Sequence, residues 1–293
     1  MSDNLTPKRP EDVTPDAQKD RKPQPVHPLM RRPPPSGSPD GQPPRRMARV
    51  VFNFARPARS YVTWALIAVN LAIFALTALI PSLENEVVRG FANQPAAVDA
   101  GEYWRLFTSM FLHANIIHVL MNMLALQSLG SVIEVAFGHR RYILIYILGG
   151  LAGSILSAGL NSPFVFSVGA SGAVFALFGA EAAHLYTNWK VMGPSAQMRL
   201  RQVIMLAVLN FSIGFFGNMT GGGAFNIDNW AHIGGFLGGA LLAYLIGPRY
   251  AVKVSPDQTI VQINDTRPLT GQFPVVIYFA AGLVAALIVT VLT

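Results

Sequence analysis

Long apolar runs recur along this sequence from about residue 60 to its last residues. A run of about 20 apolar residues is the length that a helix needs to cross the ~30 Å hydrocarbon core of a bilayer. The composition agrees, since 52% of the residues are hydrophobic and only 13% are charged. The runs therefore predict an all-α polytopic membrane protein.

The apolar runs divide into seven predicted transmembrane spans. They lie at about 61–80, 115–136, 142–160, 171–188, 202–217, 230–247 and 273–292. If the N-terminus is cytoplasmic, 20 of the 22 Lys and Arg residues fall in cytoplasmic segments, and only Arg89 and Arg105 lie outside. Basic residues collect on the cytoplasmic side of membrane proteins. The charge distribution therefore supports both the number of spans and a cytoplasmic N-terminus.

The segments around the spans predict four regions. Residues 1–58 are basic and hold thirteen of the twenty-one prolines, so they cannot bury enough apolar surface to order themselves, and we expect a disordered cytoplasmic tail. We expect residues 59–248 to form a core of six spans, 249–272 a cytoplasmic linker and 273–293 the seventh span. No apolar signal-peptide core lies near Met1, so we expect the first span to be retained.

Composition also limits the chemistry and the partners. The chain has no cysteine, which excludes disulfides, thiol nucleophiles and zinc–cysteine sites. No metal or other cofactor is expected. A net charge of +7 would suit nucleic acid, but the basic residues lie in the tail and in short loops beside the spans. Orientation and contact with anionic lipid explain this pattern better, so the expected partner is the lipid bilayer and no nucleic acid.

Ser171 opens the fourth span within the motif Gly169-Ala170-Ser171-Gly172. The first residues of a helix offer backbone N–H groups that have no intrahelical acceptor, and this end of a helix favours negative charge. A serine there can be a nucleophile and also part of its own oxyanion site. The alternative is that the glycines only permit close helix contact, and the motif alone does not separate the two interpretations.

His232 lies near the start of the sixth span and precedes two interleaved glycine pairs, which include Gly235 and Gly239. Glycines spaced four apart let another helix approach closely. Ser171 and His232 both lie near the outer start of their spans, so they share a depth in the membrane. If the two helices touch, the imidazole can take the serine proton across ~2.6–3.2 Å. A buried structural histidine is the alternative.

No carboxylate is well placed to orient His232 as a third catalytic member. Asp228 lies one turn earlier but near the surface, and the glutamates of the spans lie toward their cytoplasmic ends. One of these, Glu134, is expected to anchor structure through helix-terminal hydrogen bonds. We therefore predict a Ser–His dyad, in which Phe175, one turn below Ser171, stacks on the imidazole.

The second span carries polar residues at its outer end, within His113-Ala-Asn-Ile-Ile-His118-Val-Leu-Met-Asn122. Positions 118 and 122 are four apart and share a helix face. Two neutral donors on that face could bind a developing oxyanion. Hydrogen bonding between helices is the alternative.

Taken together, these motifs resemble the rhomboid intramembrane serine proteases. The likeness covers Trp104-Arg105 in the first loop, His113, His118 and Asn122 in the second span, Gly169-Ala170-Ser171-Gly172 at the start of the fourth, and Ala231-His232-x-x-Gly235-x-x-x-Gly239 in the sixth. It extends over about residues 60–247, with the elements in the family's order. Two features depart from it: Phe175 stands where the family often has tyrosine, and a seventh span follows the core, as in part of the family.

The resemblance implies a six-helix core, with one extra C-terminal helix, around a water-filled cavity below the outer surface. It implies that Ser171 is the nucleophile, His232 the base, and His118 and Asn122 the oxyanion donors. The substrate would be a transmembrane segment of another membrane protein, and the loop 218–229 would cap the site. A bacterial inner membrane is the expected location. A non-proteolytic membrane chaperone or transporter is the alternative, and the sequence carries no signal for oligomeric state.

Overall fold

The structure is a computed structural model that describes residues 49–52, 57, 59–219, 227–257 and 259–292. Most of the predicted tail, up to residue 48, and residues 220–226 of the predicted cap lie outside the described residues. The described part is mainly helical. Its α-helices are α1 (Tyr61–Leu79), α2 (Pro81–Phe91), α3 (Pro95–Asp99), α4 (Arg105–Thr108), α5 (Ile116–Ala125), α6 (Ser131–Phe137), α7 (His139–Leu160), α8 (Ser171–Met192), α9 (Pro194–Met219), α10 (Asn229–Ile246) and α11 (Phe273–Leu292).

Six helices of the described part are long and apolar enough to cross a membrane. They are α1, the continuous stretch from α5 to α6, and α7, α9, α10 and α11. They correspond to six of the seven predicted spans and confirm the all-α polytopic class. The second of them contains a π-helical turn at Leu126–Gly130.

The remaining predicted span corresponds to α8, which is not among those six helices. It has 22 residues, of which thirteen are buried among other helices. Buried residues on α8 include the polar Glu181, His184 and Asn188. A helix enclosed by a bundle can carry such residues because they face protein and not lipid. The central position of α8 therefore explains its lower apolarity.

The centre of the bundle is formed by α7, α8 and α10. Gly235 and Gly239 of α10 face the backbone of α8, at Gly172 and Ala176. The alternate glycines, Gly234 and Gly238, face α7 at Ala152 and its neighbours. Small residues at these positions let helix backbones approach closely. Both interleaved glycine pairs of the sequence are therefore used, one against each neighbouring helix.

Two regional predictions need correction in the described residues. Arg49–Phe52, which fall in the predicted disordered tail, form strand β1, and the predicted linker folds into β2 (Tyr250–Val254) and β3 (Ile260–Asp265). The strand order is β1-β3-β2, with β1 parallel and β2 antiparallel to β3. All three strands are rich in valine and isoleucine, which favour a pleated sheet. The sequence around β1 did not predict a strand, because the strand forms by pairing with β3, about 200 residues later in the chain.

Two buried charged residues organise the segment between α1 and α5 and the first turn of α1 itself. Arg105 donates hydrogen bonds to the carbonyl oxygens of Ala92, at 2.9 Å, and Arg89, at 2.6 Å, and so ties α4 to the end of α2. Glu134, fully buried, accepts from the backbone N–H groups of Val62 and Thr63 at 2.9 and 2.8 Å. These two N–H groups belong to the first turn of α1 and have no acceptor within the helix. Glu134 therefore caps α1 from another helix.

Candidate active site

The chain enters α8 through a short extended segment that is held on two sides. Ser167 forms an antiparallel bridge with Asn93, with backbone N–O distances of 3.0 and 2.8 Å. Two residues later, the N–H of Gly169 donates to the carbonyl oxygen of Ser109 at 2.9 Å. Gly169 has a φ of +129°, which a residue with a side chain rarely adopts. The segment therefore places Ser171 at the first position of α8 in a fixed orientation.

The ring of His118 lies directly over Gly169. A Cβ atom built on Gly169 would be 2.7 Å from His118 Nε2 and 3.7 Å from Ser171 Oγ. A methyl group does not fit at the first of these distances, so glycine is needed here for space as well as for φ. The His118 ring and the Ser171 hydroxyl therefore both border the Cα atom of Gly169.

His118 is positioned by the first turn of α5. The side chain of Asn115 caps this helix and accepts from the His118 N–H at 2.9 Å. The ring of His113 packs edge-on against the His118 ring, with centroids 5.2 Å apart. Burial lowers the pKa of His113 to about 3, and the neighbouring His118 adds to the effect, so the His113 ring is neutral at physiological pH. Asn122, one turn further, is buried and donates to the His118 carbonyl oxygen at 3.0 Å.

His232 lies on α10 against the face of α8 that carries Ser171. Its ring stacks on Phe175 with centroids 4.1 Å apart and an interplanar angle of 14°. Phe175 is one turn after Ser171, and its ring also packs on Phe211 of α9 at 5.1 Å. The stack therefore holds the imidazole over the first turn of α8.

The hydrogen bonding of His232 differs from the simplest dyad geometry. Its Nδ1 atom is buried and has no partner among the described residues. No hydrogen bond joins the Ser171 hydroxyl to the imidazole in the described part of the chain. Catalytic hydrogen bonds are often long or poorly aligned without substrate. What determines the relative position of the two side chains here is the ring stack and the contact between the helices.

The contact between α8 and α10 is a backbone contact. A Cβ atom at Gly235 would collide with the carbonyl group of Gly172, and one at Gly239 would collide with the backbone of Ala176. In the reverse direction, a Cβ at Gly172 would lie 3.4 Å from the carbonyl oxygen of Ala231. The residues next to Ser171 and His232 in sequence therefore determine how close the two helices come.

Sequence reasoning missed the role of Asp228. Its carboxylate caps α10 by accepting from the N–H of Ala231 at 3.0 Å. It also accepts from the hydroxyl groups of Ser157 and Ser167 and from the amide of Asn161. Asp228 thus connects the start of α10 to the end of α7 and to the segment that leads to Ser171. The pattern Asp-x-x-Ala before His232 is a helix N-cap signal that could have indicated this role.

A further histidine of α8, His184, lies outside the candidate site. The structure buries it, with 6% exposure, between Phe137 and the edge of Tyr250. It lies at the opposite end of α8 from Ser171, among residues that connect the helices to the sheet. It belongs to packing and not to the candidate site.

A cavity of about 660 Å³ lies between α9 and α10, beside the aromatic stack. Its lining is mainly apolar and includes Phe211, Phe215, Trp230 and Ile233, with Asn161 and Asn229 as polar members. Phe211 is the residue that links this cavity to Phe175 and hence to the His232 ring. An apolar chain in the cavity would contact Phe211, whose ring packs on Phe175, the residue that stacks on His232.

Comparison with known proteins agrees with this arrangement. The model of the rhomboid domain matches residues 100–249, which contain α4 to α10 and all the residues of the site. The chain belongs to the rhomboid family. The resemblance drawn from the motifs is therefore confirmed, and the protein is an integral membrane protein with several membrane-crossing helices.

Three rhomboid relatives illustrate the range of the similarity. RHOMBOID-like protein 1 of Arabidopsis thaliana is 33% identical, over 69% of this chain and 58% of the relative. Rhomboid protease GluP of Bacillus subtilis is also 33% identical, over 69% of this chain and 38% of the relative. Rhomboid-like protease 3 of Toxoplasma gondii is 31% identical, over 56% of this chain and 59% of the relative. The chain spans less than two thirds of the length of each relative.

Proposed function

We propose that this rhomboid is an intramembrane serine endopeptidase in which Ser171 and His232 form a catalytic dyad. The observation that carries the proposal is the stack of the His232 ring on Phe175, one turn from Ser171. The names of GluP and of the Toxoplasma relative as rhomboid proteases support the same activity. A helix that presents its first serine to a neighbouring imidazole is an arrangement suited to nucleophilic catalysis.

In the first step, the Ser171 oxygen attacks the carbonyl carbon of the scissile peptide bond as His232 takes the hydroxyl proton. The tetrahedral intermediate collapses to an acyl-enzyme when the imidazolium gives that proton to the leaving amine. Water then enters, and its oxygen attacks the acyl carbon as His232 takes one of its protons. The second tetrahedral intermediate collapses when the imidazolium gives this proton to the Ser171 oxygen, and the acyl group leaves as a carboxylic acid. Phe175 contributes by holding the ring in place throughout this exchange of protons.

The oxyanion of the intermediate needs donors that point at it before it forms. The N–H of Ser171 is one such group, since the first N–H groups of a helix have no intrahelical acceptor. We assign His118 Nε2, which lies over Gly169, as the second. The Asn122 amide has a second N–H besides the one directed at His118, and we assign it as the third donor. His113, whose ring packs against the His118 ring, positions His118 as an oxyanion donor.

We propose a transmembrane segment of another protein as the substrate. The candidate site lies at the end of the bundle where α8 and α10 begin, so the segment would be cut near that membrane surface. The apolar cavity between α9 and α10 is suited to side chains of such a segment. By the distribution of Lys and Arg, the N-terminus faces the cytoplasm and the site the opposite side, and the absence of cysteine fits a bacterial inner membrane.

The test uses the full chain in lipid nanodiscs with a fluorogenic single-span substrate. We expect cleavage to be lost in S171A and in H232A, and to be unchanged in S195A, which alters an exposed serine at the start of α9. A fluorophosphonate should label the wild type and S195A but not S171A. Cleavage at the wild-type rate by either dyad variant would refute the dyad, and a folded wild type that neither cleaves nor becomes labelled would refute the protease.

A further inference from the structure

The three-stranded sheet lies where helices enter and leave the membrane on the side opposite the candidate site. β2 begins four residues after α10 ends at Ile246, and α11 begins at Phe273, eight residues after β3 ends. β1 ends at Phe52, and α1 begins at Tyr61. Such short connections keep the sheet close to one surface of the membrane. We call this membrane surface the sheet-side surface.

One face of the sheet contacts the helix bundle. Tyr250 and Asp265 are directly paired across β2 and β3, so their side chains lie on the same face. The Tyr250 hydroxyl donates to the carbonyl oxygen of Ala136 at 3.3 Å, near the end of α6. Asp265 forms an ion pair with Arg141, near the start of α7, at 2.9 Å, and both side chains are less than 10% exposed. This face is therefore directed at the sheet-side ends of the helices.

The same face carries exposed apolar residues at the other ends of the strands. Successive residues of a strand alternate between faces, so Val252 and Val254 lie on the face of Tyr250. Val254 pairs with Val261, which pairs with Val50, and Val252 pairs with Ile263, which pairs with Phe52. The four residues on the outer strands are exposed, at 55% for Val254, 54% for Val50, 44% for Val252 and 43% for Phe52.

The opposite face of the sheet has a different composition. Its members are Arg49, Val51, Ala251, Lys253, Ile260, Gln262 and Asn264. Charged and amide side chains make up four of these seven residues, whereas the face toward the helices carries six apolar residues beyond Tyr250 and Asp265. The sheet is therefore amphipathic, and its apolar side is the one that carries Tyr250 and Asp265 and contacts the helix ends.

We propose that Val50, Phe52, Val252 and Val254 rest on the bilayer at the sheet-side surface, with their side chains at the boundary between headgroups and acyl chains. A face that is fixed against helix ends by Tyr250 and Asp265 meets lipid where the helices stop. Apolar side chains in this position lose water by contact with the acyl region. This lipid contact is separate from the proposed proteolytic activity and does not depend on it. The contact would anchor the segment that precedes α1 at the membrane.

The absence of cysteine makes the test direct, because any introduced cysteine is the only thiol in the chain. V254C and K253C are adjacent positions on β2 with opposite faces, and V50C and R49C form the corresponding pair on β1. Each variant of the full chain carries an environment-sensitive fluorophore in nanodiscs that hold one copy. Quenchers are lipids with brominated acyl chains on the lipid side and iodide on the water side.

We expect the labels at V254C and V50C to emit at shorter wavelength than those at K253C and R49C. They should be quenched several-fold more by brominated lipid and several-fold less by iodide. Equal quenching of both faces by iodide would overturn the proposal. Protection of V254C from both quenchers would also overturn it, since residues 1–48 or another protein surface would then cover the face. The thermal unfolding of each labelled variant, compared with the cysteine-free parent, verifies that the sheet is intact.

Discussion

The backbone contact between α8 and α10 predicts a large effect for one added methyl group. A Cβ atom at Gly235 would collide with the carbonyl group of Gly172. Because this neighbour is backbone and not a flexible side chain, the helices must separate. Overpacking of this kind costs about 1–3 kcal/mol. We therefore expect G235A to lower the midpoint of thermal unfolding by roughly 2–12 °C.

The same separation should reduce activity more than stability. Gly172 directly follows Ser171, and Gly235 lies three residues after His232, so the displacement acts on the proposed dyad itself. A misplacement of about 1 Å costs on the order of 100-fold in rate. We expect kcat/KM for a single-span substrate to fall by roughly that factor in G235A, mostly through kcat.

G282A is the matched control for this experiment. Gly282 also lies in a membrane helix, α11, but a Cβ there would meet nothing within 4 Å. Both variants thus replace a helical glycine by alanine, and only one of them adds a collision. If G235A and G282A showed the same stability and activity, the close backbone contact would be refuted. If G235A lost stability but kept its rate, the link between helix separation and the dyad would be refuted.

Three further predictions concern other contacts of the structure. F175L should lower kcat roughly threefold to tenfold with little change in KM, because it removes the ring stack on His232. F175Y keeps an aromatic ring and should retain the rate. Equal rates for the two variants would contradict a role for the stack. E134Q should reduce the free energy of unfolding by about 1–3 kcal/mol, since a glutamine has only one acceptor oxygen for the N–H groups of Val62 and Thr63. E84Q, at an exposed position, serves as the control in a thermal melt. D265A should lower the free energy of unfolding by about 3–5 kcal/mol, because it leaves Arg141 buried without its ion-pair partner. D99A, which removes an exposed carboxylate at the end of α3, should melt like the wild type.

The membrane fold could largely be predicted from local sequence signals. Six of the predicted spans coincide with helices that are apolar enough to cross a bilayer, since hydropathy over about 20 residues reports a property of each segment alone. The helix N-cap Asp228 and the positive-φ Gly169 are also local features, and only the second belonged to a motif that was recognised. Local signals did not indicate the sheet, because β1 lies at the end of a proline-rich stretch and pairs with residues about 200 positions away.

The candidate site divides in the same way. The sequence alone placed Ser171 and His232 at similar depth, identified the two glycine pairs of α10 and anticipated the Phe175 stack. Only the tertiary structure decided that Gly235 and Gly239 face α8 while the alternate pair faces α7. It also brought the His118 ring over Gly169 and gave Asp228 its partners on α7.

Ser171, at the start of α8, shows which features the local sequence determines and which ones depend on the tertiary structure. Its helix, its depth and its flanking glycines follow from the residues around it, because span length and helix-end chemistry depend on a few neighbours in the chain. What lies opposite its hydroxyl depends on how α5, α8 and α10 pack. That packing is determined by contacts between distant segments, in which single methyl groups decide how close two backbones come.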